Sequence, residues 1–281
     1  MNPGEGSRRW PTTLVVDGAR SELDDSVVVE EPLEIQVAFG DEAPRSLSLT
    51  MRTPGDDEAL AVGLLFAEGI LQERRDLETV EWVPDPSSDS PETVQRVCLR
   101  LGADLPRDRL GATRNFIMTS ACGVCGKTAV DATFAAGIRS LPVGSPRLQR
   151  AVLENLPETM RAGQALFART GGIHAAALFD LEGGLLDLAE DVGRHNAVDR
   201  IVGRAFAAAT LPLSERVLAV SGRVGFEIVQ KALRAGVPIL AAVGAPTHLA
   251  LRAAARGGMT VAGFVRAGRA NLYTASERID G

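Results

Sequence analysis

The alternation of apolar and polar positions predicts strands in the first half of this chain. Residues 33–39 place an apolar side chain at every second position, which is the pattern of a strand with one buried face. A helix is predicted to begin after Thr53, a candidate cap, because Pro54 suits the first helical position and three acidic residues follow it. The predicted strands of this half lie at residues 33–39, 46–51, 78–83 and 93–101, and the helix ends near Gly69.

The second half alternates short apolar runs with helical segments. Strands are predicted at residues 217–220, 238–243 and 259–265, with helices beginning near Gly225 and Pro246 between them. This β-α-β-α-β order predicts a partly parallel sheet covered by helices, with its turn residues gathered at one edge. Upstream, the pattern predicts a strand at 115–118, helices at 127–140, 146–168 and 194–209, and a hairpin of 173–179 with 185–189 closed by Gly183 and Gly184.

The pattern divides the chain into three parts. Residues 1–20 are predicted to be a flexible, loosely ordered leader, residues 21–112 a smaller N-terminal α+β portion, and residues 113–281 an α/β domain with a mixed central sheet. Residues 1–113 carry 11 basic and 23 acidic side chains, whereas residues 114–281 carry 19 basic and 13 acidic ones. The positive second part suits a phosphate-bearing ligand, although ordinary scatter of solvated charges explains it equally well.

Composition sets the expected compartment. No run approaches the ~18 apolar residues of a membrane helix, and no apolar stretch follows Arg8 and Arg9 as in a secretory signal. We therefore expect a cytoplasmic protein with no membrane or nucleic-acid partner. Three cysteines are too few for a disulfide scaffold, and Cys98, within a predicted strand, is expected to be a small buried residue.

The other two cysteines form a Cys-x-x-Cys motif in residues 119–127, with the sequence TSACGVCGK. Cys122 and Cys125 precede a predicted helix, whose N-terminus, together with Lys127, lowers the pKa of a thiol and favours the reactive thiolate. The motif alone leaves open sulfur or redox chemistry, a zinc site and structural thiols. A deaminase-type zinc site is disfavoured because none of His174, His195 and His248 begins a His-x-Glu motif.

Glycine-containing turns follow each of the three predicted parallel strands, at residues 221–227, 243–247 and 263–269. Backbone N–H groups at such strand-to-helix turns bind anions, and strand ends of this kind form ligand crevices. Arg223, Arg266 and Arg269 lie in these turns, and guanidinium groups match phosphate well. Each turn alone is weak evidence for an anion-binding site, because tight turns require glycine for reasons of backbone conformation.

Residues 190–196, EDVGRHN, form a further polar cluster. Asp191 is a candidate helix cap and lies four residues before His195, close enough to orient its ring. An acid/base or substrate-contacting role and a purely structural role are both open. His174 is similarly ambiguous, and His248 is expected in the first turn of a helix.

Taken together, these segments resemble the FdhD/NarQ family of sulfurtransferase accessory proteins of formate dehydrogenase. The order and number of the matching segments make the resemblance more specific than any one motif. The matching segments are residues 52–58, 119–127, 169–174, 190–196, 221–231, 243–247 and 263–271.

The resemblance implies an activity and its partners. Family members take sulfur from a cysteine desulfurase as a cysteine persulfide and pass it to the molybdenum bis(molybdopterin guanine dinucleotide) cofactor, which then goes to formate dehydrogenase. The resemblance also implies a three-layer cytidine-deaminase-like domain, a homodimer and no permanent metal. A cofactor chaperone without sulfur transfer, a zinc hydrolase and a thiol–disulfide oxidoreductase remain alternatives.

The resemblance also assigns residues to the site. Cys122 matches the persulfide carrier, and Cys125 its partner. Arg223, in the predicted turn at residues 221–227, is expected from its position to bind phosphate as well. The family's cofactor-binding segment matches Phe264, Val265, Arg266, Ala267, Gly268 and Arg269.

Overall fold

A six-stranded mixed sheet forms the centre of the second half of the chain. The computed structural model describes residues 6–83, 94–113, 131, 134 and 137–281. The strands at residues 217–220, 239–242 and 260–266 are parallel to one another, while their neighbours run antiparallel. In spatial order the strands are β13 (Arg269–Thr274), β12 (Thr260–Arg266), β11 (Ile239–Ala242), β10 (Val217–Val220), β8 (His174–Phe179) and β9 (Leu185–Asp191).

Helices cover both faces of this sheet. In β10, Leu218 and Val220 point into the core shared with α5 (Arg194–Ala207), α6 (Phe226–Arg234) and α7 (His248–Gly257). Val217 and Ala219 point the other way, against α3 (Arg150–Gly163). Burial on both faces explains why these strands are continuous apolar runs. The predicted α/β fold with a mixed central sheet is therefore confirmed.

The N-terminal portion contains a second, four-stranded sheet. Its spatial order is β4 (Arg45–Arg52), β3 (Glu31–Phe39), β6 (Gln95–Leu101) and β5 (Leu77–Val83), with β3 parallel to β6. The inward-facing side chains of β3, including Leu33, Ile35 and Val37, join the same apolar core as α1 (Asp57–Ala67) and α5. The two sheets thus share one core. The short helix α2 (Asp108–Thr113) follows β6.

The helices α1 and α5 pack through two glycines. A Cβ atom on Gly63 would overlap the carbonyl oxygen of Asp199, and one on Gly203 would overlap the carbonyl oxygen of Ala59. Only residues without a side chain allow this approach of backbone to backbone. The contact joins the N-terminal portion to the central sheet.

The chain begins with an antiparallel ribbon of β1 (Ser7–Val16) and β2 (Ala19–Val28), joined at Asp17 and Gly18. Both turn residues have positive φ, 50° and 82°, as a two-residue hairpin turn requires. The expectation of a loosely ordered leader over residues 1–20 is therefore wrong for residues 7–16. Cross-strand pairing rather than a local alternation of apolar and polar residues forms this ribbon.

Three other predicted elements differ from the structure. The helix predicted over 146–168 is divided at Gln164 into α3 and α4 (Ala165–Thr170), and β7 (Leu148–Gln149), paired with β14 (Ile279–Asp280), precedes it. The helix α1 begins at Asp57, not after Thr53. The turn predicted at 263–269 is a hairpin, because β12 continues to Arg266.

Other predictions are confirmed. The hairpin of β8 and β9, the buried Cys98 and the exposed His248 at the start of α7 lie as expected. The strand predicted at 115–118 lies outside the described residues, as does most of the helix predicted at 127–140. Among the described helices, none combines the length and apolar character needed to cross a membrane.

Candidate functional site

The turns that follow β10 and β11 meet residues 263–264 of β12 at one edge of the central sheet, which we call the strand-end edge. The N–H of Gly244 donates to the carbonyl oxygen of Gly222 at 3.2 Å, and the N–H of Phe264 donates to that of Gly244 at 3.2 Å. A Cβ atom on Gly244 would lie 2.8 Å from the Gly222 oxygen, so close packing of the turns requires glycine there.

Two polar residues of the antiparallel strands reach the same edge. His174 begins β8 and is paired in register with Asp191, the last residue of β9. A Cβ atom on Gly222 would lie 3.3 Å from Nδ1 of His174, so the ring lies directly against that turn. The structure therefore brings residues from five strands to one edge.

The buried carboxylate of Asp191 organises the segment that follows β9. It accepts hydrogen bonds from the N–H of Gly193 at 2.8 Å, the side-chain amide of Asn196 at 2.9 Å and Nη2 of Arg200 at 2.7 Å. The N–H of Thr53 also donates to it, at 3.3 Å. Burial raises the pKa of this carboxyl group, against the opposing effect of Arg200.

These contacts correct two predictions. Asp191 does not cap α5 with its side chain, since Gly193 occupies the N-cap position, and its carboxylate bonds to Gly193, Asn196 and Arg200, whereas the ion-pair partner of His195 is Glu227. Thr53 does not cap α1, and its hydroxyl oxygen instead accepts a hydrogen bond from the N–H of Val192 at 3.1 Å. Both side chains join distant segments rather than helix ends.

A buried ion pair reinforces this junction. Nη2 of Arg52 lies 2.8 Å from Oδ2 of Asp57, with both side chains almost fully buried. Arg200, also fully buried, lies 3.7 Å from Asp57 as well as against Asp191. Two arginines and two aspartates therefore balance each other's charge, which buried ions require. The cluster holds residues 51–57 against the strand-end edge.

His195 has a carboxylate partner on the neighbouring helix. Its Nε2 lies 3.1 Å from Oε2 of Glu227, and the two residues occupy the first turns of α5 and α6. Burial lowers the pKa of His195 to about 4, although Glu227 raises it. Burial, followed by the charge of Arg194, lowers the pKa of His174 as well. Both rings are therefore neutral at pH 7.

A second pair lies one helical turn deeper between the same helices. Nζ of Lys231 lies 2.7 Å and 2.9 Å from the two carboxylate oxygens of Asp199. Burial raises the pKa of Asp199, and the Lys231 ammonium opposes that effect. The i, i+4 spacing of His195 with Asp199 and of Glu227 with Lys231 places both pairs on facing helix surfaces.

The arginines predicted to bind phosphate are solvent-exposed. Arg223 follows β10, while Arg266 and Arg269 flank the turn between β12 and β13 and oppose each other in register. Within the described ranges, none of the three forms an ion pair with a carboxylate. Phe264, at φ 53° and 41% exposed, lies two residues before Arg266 in β12. These side chains are available to an anionic ligand with an aromatic or apolar part.

The structure leaves some sequence predictions untested. Cys122 and Cys125 lie outside the described residues, so their position relative to the strand-end edge stays a prediction. Glu227 was missed by sequence reasoning, although its spacing from Lys231 matches that of His195 from Asp199. Among the described residues, no group of three or more His, Cys, Asp or Glu side chains is arranged to hold a metal ion.

Nearly the whole chain is similar to a family of sulfur carrier proteins. The model of the FdhD/NarQ family matches residues 28–280, and the chain belongs to this family. The sulfur carrier protein FdhD of Streptomyces avermitilis is 44% identical over 277 residues, which cover 98% of this chain and 96% of the relative. The protein of the same name from Sulfolobus acidocaldarius is 40% identical, covering 97% of this chain and 98% of that one.

A solved structure shares the fold. The crystal structure of a Desulfotalea psychrophila protein described as a formate dehydrogenase accessory protein aligns with a TM-score of 0.72 at 24% identity. The alignment covers 98% of this chain and all of the other. At that identity the likeness establishes the fold alone.

Proposed function

We propose that this protein is a sulfurtransferase that carries sulfur as a persulfide on Cys122 for the activation of formate dehydrogenase. The observation that carries the proposal is the similarity, over nearly the whole chain, to relatives named sulfur carrier proteins. The Cys-x-x-Cys motif supplies the required nucleophile. The thiolate of Cys122 attacks the outer sulfur of a donor persulfide, forms a new S–S bond and releases the donor's thiolate.

The proposed sulfur acceptor is the molybdenum bis(molybdopterin guanine dinucleotide) cofactor, bound as a substrate. Its guanine dinucleotide arms carry phosphates, and the exposed guanidinium groups of Arg223, Arg266 and Arg269 suit them. The segment from Phe264 to Arg269, with Val265 buried in the sheet and Ala267 and Gly268 at the turn, forms the rest of the binding surface. Cys125 assists release: its thiolate attacks the inner sulfur, the S–S bond of the persulfide breaks, the outer sulfur leaves as sulfide for the acceptor, and a Cys122–Cys125 disulfide remains.

In the proposed function the protein works with two other enzymes. A cysteine desulfurase donates the sulfur, formate dehydrogenase receives the completed cofactor, and the protein acts in the cytoplasm as a homodimer. Helices on both faces of the central sheet support a relationship to the three-layer cytidine-deaminase fold. No resident metal takes part.

The test is intact-protein mass spectrometry after incubation with a cysteine desulfurase and cysteine. We expect a gain of one sulfur atom that reductant removes and that Cys122→Ala abolishes. Cys98→Ala is the matched control, since that thiol is buried and its pKa is raised by burial, so the gain should remain. A gain that persists in Cys122→Ala but disappears in Cys98→Ala would contradict the assignment.

The cofactor chaperone is the second candidate, favoured by the exposed arginines, which serve binding without any thiol. It predicts that a Cys122→Ala/Cys125→Ala double variant still activates formate dehydrogenase in a deletion host. Full loss of activation by that folded variant, with cofactor binding retained, supports sulfur transfer instead.

A further inference from the structure

Arg194, the first residue of α5, is a half-buried cation at the strand-end edge. Within the part of the chain that the structure describes, its guanidinium group forms no ion pair. The carboxylate of Asp191 at the same edge is paired with Arg200. The carboxylate of Glu227 lies against His195 instead. Because a charge that is partly removed from water is stabilised by a counter-ion, an anion from outside the chain would complete this site.

Two histidine rings lie within reach of Arg194. Burial lowers the pKa of His174 and of His195, and the charge of Arg194 lowers both further. The two rings also act on each other, because a charge on His174 disfavours a charge on His195. Electrostatic interactions at physiological ionic strength are effective only within about 10 Å, so the three side chains lie close together. We call these three side chains the Arg194 cluster.

The two ring nitrogens of His195 have different surroundings. Nε2 lies 3.1 Å from Oε2 of Glu227, which favours a neutral ring with its proton on Nε2. Among the described residues, Nδ1 has no hydrogen-bond partner. A neutral ring of this kind presents only a lone pair at Nδ1, which repels an anion. A protonated ring presents an N–H donor at Nδ1, while Glu227 balances the added charge.

We propose that the Arg194 cluster binds a tetrahedral oxyanion, and that His195 takes up a proton from solvent as the anion binds. The guanidinium group of Arg194 supplies a permanent charge, and the protonated Nδ1 of His195 supplies a second donor. Sulfate, inorganic phosphate and a phosphate group of a larger ligand share this chemistry. In the cell we expect a phosphate group of the nucleotide-bearing cofactor, an assignment that rests on the proposed function. The cluster is additional to the arginines assigned to that cofactor above.

Proton uptake makes the binding of the anion depend on pH. Burial lowers the pKa of His195 to about 4 in the protein without ligand, and a bound anion raises that pKa because it attracts the charged ring. By linkage, the anion binds more tightly as pH falls through the pKa of the bound protein, and the gain is complete below about 4. The other charged groups that act on the two rings are Glu227, Arg194, Lys231 and Asp191.

The experiment measures the titration midpoints of the histidine rings of the full chain by NMR, in sodium sulfate and in sodium chloride of equal ionic strength. The charge of sulfate is constant over the pH range used, so a change in proton binding belongs to the protein. We expect sulfate to raise the midpoint of His195 by about one pH unit or more and to leave that of the exposed His248 unchanged. Arg194→Gln should abolish the rise. Arg216→Gln, at a half-buried arginine before β10, is the matched control.

Thermal unfolding verifies that both variants remain folded. A midpoint of His195 that sulfate raises no more than chloride does overturns the proposal, and so does a rise that Arg194→Gln and Arg216→Gln weaken equally. Guanosine monophosphate, a fragment of the proposed cofactor, is the second probe. It should produce the same rise at a concentration about tenfold lower than sulfate, and an equal requirement would overturn the assignment of the site to that cofactor. Sulfur loading of Cys122 is measured separately, so failure of the proposed function and failure of this site are distinguished.

Discussion

At the scale of single residues, the strand-end edge combines exposed cations with neutral histidines. His195 is half-buried and carries a carboxylate neighbour, Glu227, which raises its pKa, yet burial outweighs that effect. Removing a charged imidazolium from water costs more free energy than its attraction to Glu227 returns, because the Glu227 side chain is itself 52% exposed and its charge is screened by water. The edge therefore presents a neutral ring at physiological pH.

We predict that His195 titrates near pH 4 in the folded protein. NMR titration checks this, with the signal assigned by its absence in His195→Gln, since the chain has three histidines. Glu227→Gln should lower the midpoint further, because it removes the interaction that favours the charged ring. Glu182→Gln, at an exposed acid in the β8–β9 turn, should leave it unchanged.

The sign of the linked stability effect follows from the same pKa. The folded value lies below the ordinary 6.5, so the unfolded chain binds the proton first as pH falls. The contribution to stability is complete above pH 6.5, declines below it, and is lost once pH falls through about 4. A midpoint at or above 6.5 in the folded protein would contradict both statements.

At the scale of elements, the crossing of α1 and α5 fixes how the N-terminal portion meets the central sheet. Gly63 and Gly203 let the helices approach until backbone meets backbone. The buried pairs of Arg52 with Asp57 and of Arg200 with Asp191 lie next to this crossing. Helix packing and charge pairing therefore support the same junction.

We predict that Gly203→Ala destabilises the protein by about 1–3 kcal/mol, because the added methyl group forces the helices apart. Helix propensity alone would give the opposite sign, since alanine is favoured over glycine by about 1 kcal/mol. Urea unfolding measures the change. The control is Gly102→Ala, where a Cβ would meet nothing nearer than 3.9 Å, and equal stability of the two variants would count against the packing argument.

At the scale of the whole molecule, one apolar core extends from the four-stranded sheet to the central sheet. Leu33 of β3, Leu60 of α1 and Ile201 of α5 belong to the same buried cluster. The division predicted near residue 112 thus separates two portions that are joined by a shared core. Shared burial makes unfolding of one portion costly to the other.

We predict a single cooperative unfolding transition. Trp82 lies in β5 of the four-stranded sheet, and Trp10 lies on the ribbon. In a Trp10→Phe background, Trp82 fluorescence reports the N-terminal portion, and far-UV circular dichroism reports all helices and strands. The two urea transitions should coincide, as two-state unfolding requires. Two separated midpoints would indicate portions that unfold independently.

The sequence by itself determined the order of most strands and helices, the α/β class and the meeting of the turns after β10 and β11 at one edge. Periodicity and glycine placement are local properties of the sequence, so they can be recognised in residues 217–265 without a structure. The family membership also follows from local motifs, including the one that contains Cys122.

Only the tertiary structure decided the partners of the polar residues. Thr53 was expected to cap a helix, but its N–H donates to Asp191, 138 residues away. Asp191 was a candidate to orient His195, but His195 meets Glu227 of another helix. Periodicity reports which face of an element is buried, whereas the identity of the facing residue depends on how distant elements cross. The ribbon of β1 and β2 was missed for the same reason, since cross-strand pairing rather than local pattern holds it together.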